Sequence, residues 1–203
     1  MKIAVAMSGG LDSSVAAIML KNEGYDITGI TARFLPLSPL NDSIYKESVH
    51  DAKLIADIYR FPHYEFDFSE NFRKLVIDYF CKEYMSGRTP NPCTVCNRYV
   101  KFHELLKAAD ELGCDMIATG HYAIKKSGNG RFFVSMSPDR AKDQSYFLFM
   151  LTQEQLYRTL FPLGNMTKNE IRNYASEHSL HIRYKPESQE ICFIPDNDYI
   201  SFI

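Results

Sequence analysis

The sequence predicts an α/β fold, in which a doubly wound parallel sheet of about five strands carries helices on both faces. Short apolar strands alternate with amphipathic helices along the first 120 residues. A glycine-rich turn directly follows the first strand, as in α/β proteins that bind ligands at the carboxyl ends of their strands. The chain has 203 residues, 45% of them hydrophobic, which is enough for the core of one domain.

Hydrophobic periodicity locates the individual elements. The predicted strands are Ile3–Met7, Asp26–Phe34, His63–Phe68 and Asp115–Thr119. The predicted helices carry apolar stripes at Val15, Ile18 and Met19, at Ala52, Ile55, Ala56 and Tyr59, at Phe72, Leu75, Val76, Tyr79 and Phe80, and at Phe102, Leu105, Leu106, Ala109 and Leu112. A capping box from Thr167 to Glu170 starts a further helix that runs to about His178.

Other segments are predicted as loops or stay open. Prolines and short polar residues at 36–42 indicate a loop, and Gly87, Pro90 and Pro92 indicate that segment 86–97 is irregular. Segments 132–136 and 146–151 are each compatible with a strand or a helix. The aromatic run at 146–149 is expected to lie in the core rather than to stack on bases.

Composition excludes several classes of protein. With 23 basic and 25 acidic residues, the net charge of −2 does not indicate a nucleic-acid-binding protein. Segment 121–142 is a local exception, with five basic residues and one acidic residue, although charge alone favours an ordinary solvated surface there. The apolar runs are too short for a membrane span or a signal peptide, which predicts a cytoplasmic protein without a membrane partner. Five cysteines without an export signal favour thiol or metal chemistry over a disulfide scaffold.

A glycine turn at residues 8–14 joins the first strand to the first helix. Its two glycines let backbone N–H groups approach an anion, and the hydroxyls of Ser13 and Ser14 at the helix N-terminus favour phosphate. Asp12 would repel phosphate unless Mg²⁺ lay between them, so it is a candidate metal partner. A plain strand-to-helix turn, capped by serine or aspartate, explains these residues equally well.

A second group of candidate residues is the proline-rich segment that contains Cys93 and Cys96. Cys96 is expected at the N-terminus of the next helix, where the helix dipole, Arg98 and Lys101 would lower its pKa. The Cys-x-x-Cys spacing is compatible with a metal site, a redox disulfide or two structural cysteines. Cys192 alone would be interpreted as a buried cysteine in a strand.

Together these motifs resemble those of the tRNA-specific 2-thiouridylases, a family of PP-loop ATP pyrophosphatases. The chain contains, in the family's order, SGGLDSS at 8–14, RTPNPCTVCN at 88–97, ATGHY at 118–122, KDQSYFL at 142–148 and EICFI at 190–194. The resemblance implies the PP-loop ATPase fold, which is adenine nucleotide alpha-hydrolase-like. It implies ATP-dependent transfer of sulfur to C2 of the wobble uridine of tRNA, through an adenylated base and a cysteine persulfide. ATP and Mg²⁺ are the implied cofactors, and tRNA and a sulfur-donor protein are the implied partners.

The resemblance also implies roles for individual residues. Cys96 matches the nucleophile and Cys192 the persulfide cysteine, and Asp12 completes the candidate catalytic set. The residues implied to bind ATP are Ala6, Met7, Ser8, Gly9, Gly10, Leu11, Asp12, Ser13, Ala32 and Gly120. The residues implied to contact tRNA are Asn91, Pro92, Cys93, His121, Lys142, Asp143 and Gln144.

Two features depart from the family pattern. Many members have aspartate at the position of Cys93, and the three thiols of Cys93, Cys96 and Cys192 suit a [4Fe–4S] cluster with an open iron site. A cluster mechanism therefore stays open beside the persulfide mechanism. The family's central and C-terminal β-barrel domains are absent from this sequence, so that 1–203 is interpreted as the catalytic domain, with a core of about 1–150 and a C-terminal part at 151–203. A second chain that supplies those domains is a further candidate partner.

Two functions of other classes also stay open. A PP-loop synthetase acting on a small molecule would release pyrophosphate without depending on Cys96 or Cys192. A non-catalytic nucleotide-binding or metal-binding module would bind ATP or a metal ion without turnover.

Overall fold

The computed structural model describes residues 1–36, 38–180, 191–194 and 198–203, and the strands lie within these ranges. They are β1 (Lys2–Ala6), β2 (Asp26–Arg33), β3 (His63–Asp67), β4 (Met116–Ala118), β5 (Ala123–Gly128), β6 (Arg131–Met136) and β7 (Thr159–Leu160). Five of them form a parallel sheet in the order β3-β2-β1-β4-β7. The α/β fold and its parallel sheet are confirmed. The winding reverses at β1, which opens a crevice at the carboxyl ends of β1 and β4.

The helices of the described ranges connect and cover the strands. They are α1 (Leu11–Asn22), α2 (Pro39–Tyr59), α3 (Ser69–Phe72), α4 (Asp78–Met85), α5 (Pro92–Cys96), α6 (Phe102–Glu111), α7 (Gln153–Tyr157), α8 (Lys168–Glu177) and α9 (Tyr199–Phe202). Residues 73–77 and 97–101 are π-helical and join α3 to α4 and α5 to α6. The capping box that starts α8 is confirmed, because the side chains of Thr167 and Glu170 each accept a hydrogen bond from the other residue's backbone N–H. No helix in the described part of the chain is both long and apolar enough to cross a membrane.

The sheet separates two layers of apolar core. Successive side chains of β1 alternate between them, because neighbouring residues of a strand point to opposite faces. Ile3 and Val5 face the layer closed by α1, α2 and α8, and Ala4 faces the layer closed by the helices between residues 69 and 111. Each layer contains a continuous cluster of buried side chains, so that helices on both faces of the sheet are confirmed.

Helix α2 begins inside the predicted loop. The Ser38 side chain caps it by accepting a hydrogen bond from the Asn41 N–H at 3.2 Å. Pro39 occupies the first helical position, where its fixed φ and missing N–H are tolerated. The prediction of a loop was wrong for residues 39–42, because these proline and polar residues start a helix.

The cysteine segment is also helical where irregular structure was predicted. The Asn91 side chain accepts a hydrogen bond from the Thr94 N–H at 3.3 Å, and Pro92 takes the first position of α5. The chain then continues through residues 97–101 into α6. Cys93 and Cys96 therefore lie one turn apart on a short helix, and the prediction for segment 86–97 was wrong over its last six residues.

The two segments that the sequence left compatible with either a strand or a helix have different structures. Residues 132–136 belong to β6, which pairs with β5 in an antiparallel hairpin outside the main sheet. Residues 145–148 form a single 3₁₀ turn. Leu148 is buried, but Tyr146 and Phe149 are 64% and 65% exposed. The aromatic run was wrongly predicted to be core, because so short a turn has only one side against the protein.

Gly9 fixes the glycine turn against α2. Its φ is +67°, and a Cβ at this position would lie 2.4 Å from the backbone oxygen of Ser48. Gly24 offers a matched comparison, because its φ is +87° and a Cβ there would meet no atom within 4 Å.

We expect Gly24→Ala to lower the free energy of unfolding by about 1–2 kcal/mol, the cost of a left-handed alanine. Gly9→Ala should add a packing cost of about 1–3 kcal/mol, because backbone atoms of α2 must move. Urea unfolding of both variants and the parent chain measures the difference. Equal losses for the two variants would contradict the close packing of the turn on α2.

Candidate functional site

The glycine turn is closed by its own hydrogen bonds. The Ser13 hydroxyl accepts a hydrogen bond from the Ser8 N–H at 3.1 Å and donates to the Gly10 carbonyl at 3.2 Å. The Ser8 hydroxyl lies 3.2 Å from the same oxygen of Ser13. Ser14 is fully buried, and its hydroxyl has no hydrogen-bond partner among the described residues. Ser13 thus shapes the turn. The motif suggested that the Ser14 hydroxyl faces a ligand, but this side chain is buried inside the protein.

The end of β4 packs directly on this turn. A Cβ on Gly120 would lie 2.9 Å from the Ser13 nitrogen and 3.0 Å from the Asp12 carbonyl carbon, so that only glycine fits. Ala6 ends β1, and Ala32 lies near the end of β2. The structure therefore gathers the candidate ATP-binding residues at one edge of the sheet, where the carboxyl ends of parallel strands meet.

Asp12 is held by a cation that the sequence reading did not identify as part of the site. Its two carboxylate oxygens accept hydrogen bonds from Lys168 Nζ at 2.8 and 3.0 Å, and the Tyr122 hydroxyl donates to Oδ1 at 2.7 Å. The Lys168 side chain is buried, with 7% of its surface exposed. A Mg²⁺ ion ligated by Asp12 would lie against this ammonium, so the arrangement seen here does not fit a metal ion at Asp12.

One signal in the sequence pointed to Lys168. It occupies the first helical position of α8, directly after the Thr167 cap. A cation is unfavourable there, because the N-terminus of a helix carries partial positive charge. A lysine at such a position needs a nearby anion, but the sequence could not show which one, since Asp12 lies 156 residues earlier.

Cys96 does not lie at a helix N-terminus, so the expected lowering of its pKa was wrong. It is the last residue of α5, inside a helical path that continues into α6. Burial raises the pKa of Cys96 to about 11, and the Lys101 ammonium offsets only part of this effect. Arg98 instead donates to the Met150 carbonyl and lies over the Tyr99 ring, 5.2 Å from its centroid. The thiol is therefore protonated at neutral pH in this state.

Cys192 is brought to the α5 thiols by its apolar neighbours. The Phe193 ring packs edge-on against Phe72 and Phe80, with centroids 5.8 and 5.2 Å apart, and Cys96 packs in the same cluster. A negative charge on Cys192 or Cys93 would raise the pKa of Cys96 further, as expected for thiols that lie near one another. Cys93 and Cys192 are exposed residues. Their sulfur atoms are nevertheless partly shielded from water, and this desolvation raises the pKa of both thiols.

These thiols do not form a metal site in this arrangement. Within 1–36, 38–180, 191–194 and 198–203, no group of three or more His, Cys, Asp or Glu side chains is placed to hold a metal ion. The residues present therefore do not fit a [4Fe–4S] cluster here. Glu190 of the EICFI motif lies outside the described residues.

The candidate tRNA-contacting residues lie in three places: His121 and residues 142–144 are in two loops, and residues 91–93 form the start of α5. Asp143 accepts hydrogen bonds from the Ser137 N–H at 2.8 Å and the Ser145 hydroxyl at 2.7 Å. Gln144 exchanges two hydrogen bonds with the backbone of Tyr122, at 2.9 and 3.0 Å. Because Tyr122 binds Asp12, the loop that carries Lys142, Asp143 and Gln144 is tied to the glycine turn.

His121 follows β4 and packs against the first residue of α6 and the residue after β7. Its Nδ1 is 2.8 Å from the Thr119 hydroxyl, and its ring lies 5.7 Å from the Phe102 ring and 6.2 Å from the Phe161 ring. Burial and the nearby Lys101 ammonium hold the pKa of His121 well below 6.5. The imidazole is therefore neutral at pH 7 in this state.

The fold and the turn first define a class of protein. Solved structures that share the fold include the U34-tRNA thiolase NcsA from Methanococcus maripaludis with its [4Fe–4S] cluster, at a TM-score of 0.58 and 17% identity, over 94% of this chain and 60% of that one. Another is the NH3-dependent NAD synthetase from Campylobacter jejuni, at a TM-score of 0.51 and 16% identity, over 89% of this chain and 65% of that one. The fold is thus the PP-loop ATPase fold.

Sequence comparison then gives the family. The family model described as the tRNA methyl transferase HUP domain matches residues 1–196, and the chain belongs to this family. The chain is 50% identical to each of two proteins named tRNA-specific 2-thiouridylase MnmA, from Geotalea uraniireducens and Geobacter metallireducens, over its whole length. It spans 56% and 57% of their lengths. The resemblance stated from the motifs is confirmed.

The raised pKa of Cys96 predicts how its alkylation rate depends on pH. Because only the thiolate reacts, we expect the rate to keep rising up to about pH 10, without a plateau near neutral pH. The urea-unfolded chain is the control, since its thiols titrate near their usual pKa of about 8.5. Iodoacetamide labelling followed by peptide mass spectrometry measures both rates. A plateau below about pH 8 in the folded chain would contradict the burial of this thiol.

Proposed function

We propose that this chain transfers sulfur to C2 of the wobble uridine of tRNA, using ATP to activate the base and a cysteine persulfide to supply the sulfur. The observation that carries the proposal is one continuous set of contacts between the glycine turn and α5. We call α5 the thiol helix, because it carries Cys93 and Cys96. Tyr122 binds Asp12 of the turn and pairs with Gln144, and Asn97, beside Cys96, donates to the Phe147 carbonyl at 3.0 Å. A base bound between these two elements can reach both nucleotide and thiols.

The glycine turn supports the first step. Its uncapped helix N-terminus offers backbone N–H groups to phosphate, and Gly9 and Gly120 keep the surrounding backbone close. The C2 oxygen of the uridine attacks the α-phosphate of ATP, and pyrophosphate leaves. The product is a base adenylated on that oxygen. Mg²⁺, when bound, would neutralise phosphate charge.

The clustered thiols support the second step. The terminal sulfur of a persulfide on Cys192 attacks C2 of the activated base, and AMP leaves with the former C2 oxygen. The Cys96 thiolate then attacks the Cys192 sulfur, which breaks the sulfur–sulfur bond and releases the thiocarbonyl. The transferred sulfur gains two electrons and the cysteine pair loses two, forming a disulfide. A thiol reductant and a sulfur-donor protein must restore the persulfide before the next turnover.

The surroundings of the thiols favour a regulated reaction. All three have raised pKa values in this state, so that none is a ready nucleophile at neutral pH. The Lys101 ammonium lowers the pKa of each thiol and so offsets part of the effect of burial. We infer that binding of the tRNA or loading of the sulfur must change this neighbourhood before Cys96 reacts.

A cluster on Cys93, Cys96 and Cys192 is the second candidate for the sulfur step, and it would require the three thiols to move from the arrangement seen here, which does not fit a cluster. The observation in its favour is the shared electrostatic neighbourhood of these three thiols. Cys93 separates the two versions, because only the cluster requires it as a ligand. In both versions of the sulfur step, the domains that complete the longer relatives would come from the rest of the protein or from a second chain. The protein would act in the cytoplasm.

The test is single-turnover thiolation of tRNA with three serine variants and a control. We expect Cys96→Ser and Cys192→Ser to lower 2-thiouridine formation by at least about 1,000-fold, as expected when a reacting thiol is removed. Cys81→Ser is the control, because Cys81 lies in a half-buried position on α4. Formation of 2-thiouridine is measured by mass spectrometry of digested tRNA, and pyrophosphate release is followed in parallel.

The result for Cys93→Ser decides between the two sulfur steps. Retained thiolation with no iron after anaerobic purification supports the persulfide route, and joint loss of iron and thiolation supports the cluster. Normal thiolation by Cys96→Ser and Cys192→Ser would contradict both. Pyrophosphate release driven by a metabolite without tRNA would instead identify a small-molecule synthetase.

A further inference from the structure

Lys168, the first residue of α8, is a buried cation whose side chain reaches Asp12 of the glycine turn, and none of the sequence motifs includes it. We propose that Lys168 binds the β- and γ-phosphates of ATP, which makes it a nucleotide-binding residue of the site. The inference rests on the proposed function for its ATP site. It goes further by assigning the cation that recognises the pyrophosphate part of the nucleotide.

The contacts of Lys168 fix its position in the site. Its Nζ lies 2.8 and 3.0 Å from the two oxygens of Asp12, and 5.8 Å from the centroid of the Tyr122 ring. Its backbone N–H donates to the Asp139 carboxylate at 2.9 Å. The backbone of α8 is thus anchored while the long side chain reaches the turn, where a shift of one flexible side chain brings the ammonium to a bound phosphate.

The charges around Lys168 indicate an anionic ligand. The N-terminus of α8 is capped by Thr167 and Glu170 and also meets Asp139, but the N-terminus of α1 has no side-chain cap. Asp12 is the acidic residue in the first turn of α1 and already accepts from Lys168. The uncapped N–H groups of α1 and the Lys168 ammonium therefore present positive charge to the same turn.

The pairing also explains how Asp12 can stay within a phosphate site. A carboxylate alone would repel the triphosphate, and the ammonium between them removes that repulsion. A buried ammonium–carboxylate pair is a poor source of stability, because both groups lose their hydration. Its place at the turn is better explained by binding than by folding.

A purely structural role gives a different expectation. If Lys168 only neutralises Asp12, removal of Lys168 should weaken ATP binding while Asp12 is charged. It should leave ATP binding unchanged in Asp12→Asn, where that residue is neutral. If Lys168 binds the β- and γ-phosphates, its removal should weaken ATP binding in both cases. AMP lacks those two phosphates, so its affinity should be insensitive to Lys168.

The experiment is calorimetric titration of the 203-residue chain with ATP, AMP and inorganic pyrophosphate. The variants are Asp12→Asn, Asp12→Asn/Lys168→Met, Lys168→Met and Lys168→Arg, and the control is Lys46→Met on the exposed face of α2. The double variant removes both charges of the Asp12–Lys168 pair, so that it tests the assignment even where Lys168→Met alone leaves Asp12 unpaired and fails to fold. Thermal melting of each variant checks the fold.

We expect the double variant to bind ATP and pyrophosphate about 10- to 100-fold more weakly than Asp12→Asn, as expected for a lost charged hydrogen bond. AMP binding should change by less than about threefold, and Lys168→Arg should recover part of the ATP affinity. Equal ATP affinities for Asp12→Asn and the double variant would overturn the assignment of Lys168. A parent chain that binds neither ATP nor AMP would overturn the proposed nucleotide site itself, together with this inference.

Discussion

The close approach of β4 to the glycine turn is the constraint on which the rest of the site depends. Gly120 leaves no room for a side chain beside Ser13, and Gly9 leaves none beside α2. The turn is therefore held between the sheet and a helix rather than projecting as a free loop. Tyr122 follows Gly120 by two residues, so that the same approach brings its hydroxyl to Asp12 at 2.7 Å. Moving β4 away would separate the turn from Tyr122, from the loop at 142–148 and from the thiol helix packed on that loop.

Charge and burial divide the site into two parts with different chemistry. At the turn, Asp12 and Lys168 form a charged pair beside an uncapped helix N-terminus, which suits a phosphate ligand. Around Cys96, burial within the apolar cluster that also contains Phe193 and Ile194 raises the pKa of the thiol and keeps it protonated. A protonated thiol is protected from oxidation and from side reactions, because only the thiolate is a strong nucleophile. The proposed order of steps follows, with activation of the base by ATP before sulfur chemistry begins.

The parts of the structure that depend on local patterns were predictable from the sequence. The runs that became β1, β2 and β4 lie inside a parallel sheet, β3 is its partly exposed edge strand, and the Thr167–Glu170 capping box starts α8 as expected. The short helix α5 was missed because prolines break helices in their interior but begin them at the first position. The contact between Lys168 and Asp12 joins residues 156 positions apart, and the pKa of Cys96 is raised by burial in a cluster assembled from many parts of the chain. Neither leaves a periodic signal in the sequence.

The central claim is that ATP activates the C2 oxygen of a tRNA uridine before sulfur replaces that oxygen. The most direct measurement is a single turnover with tRNA that carries ¹⁸O at C2 of the wobble uridine, followed by mass spectrometry of the released AMP. Attack of this oxygen on the α-phosphate predicts one ¹⁸O atom in the phosphate of AMP for each 2-thiouridine formed. AMP without the label, with the ¹⁸O recovered in water, would contradict the account.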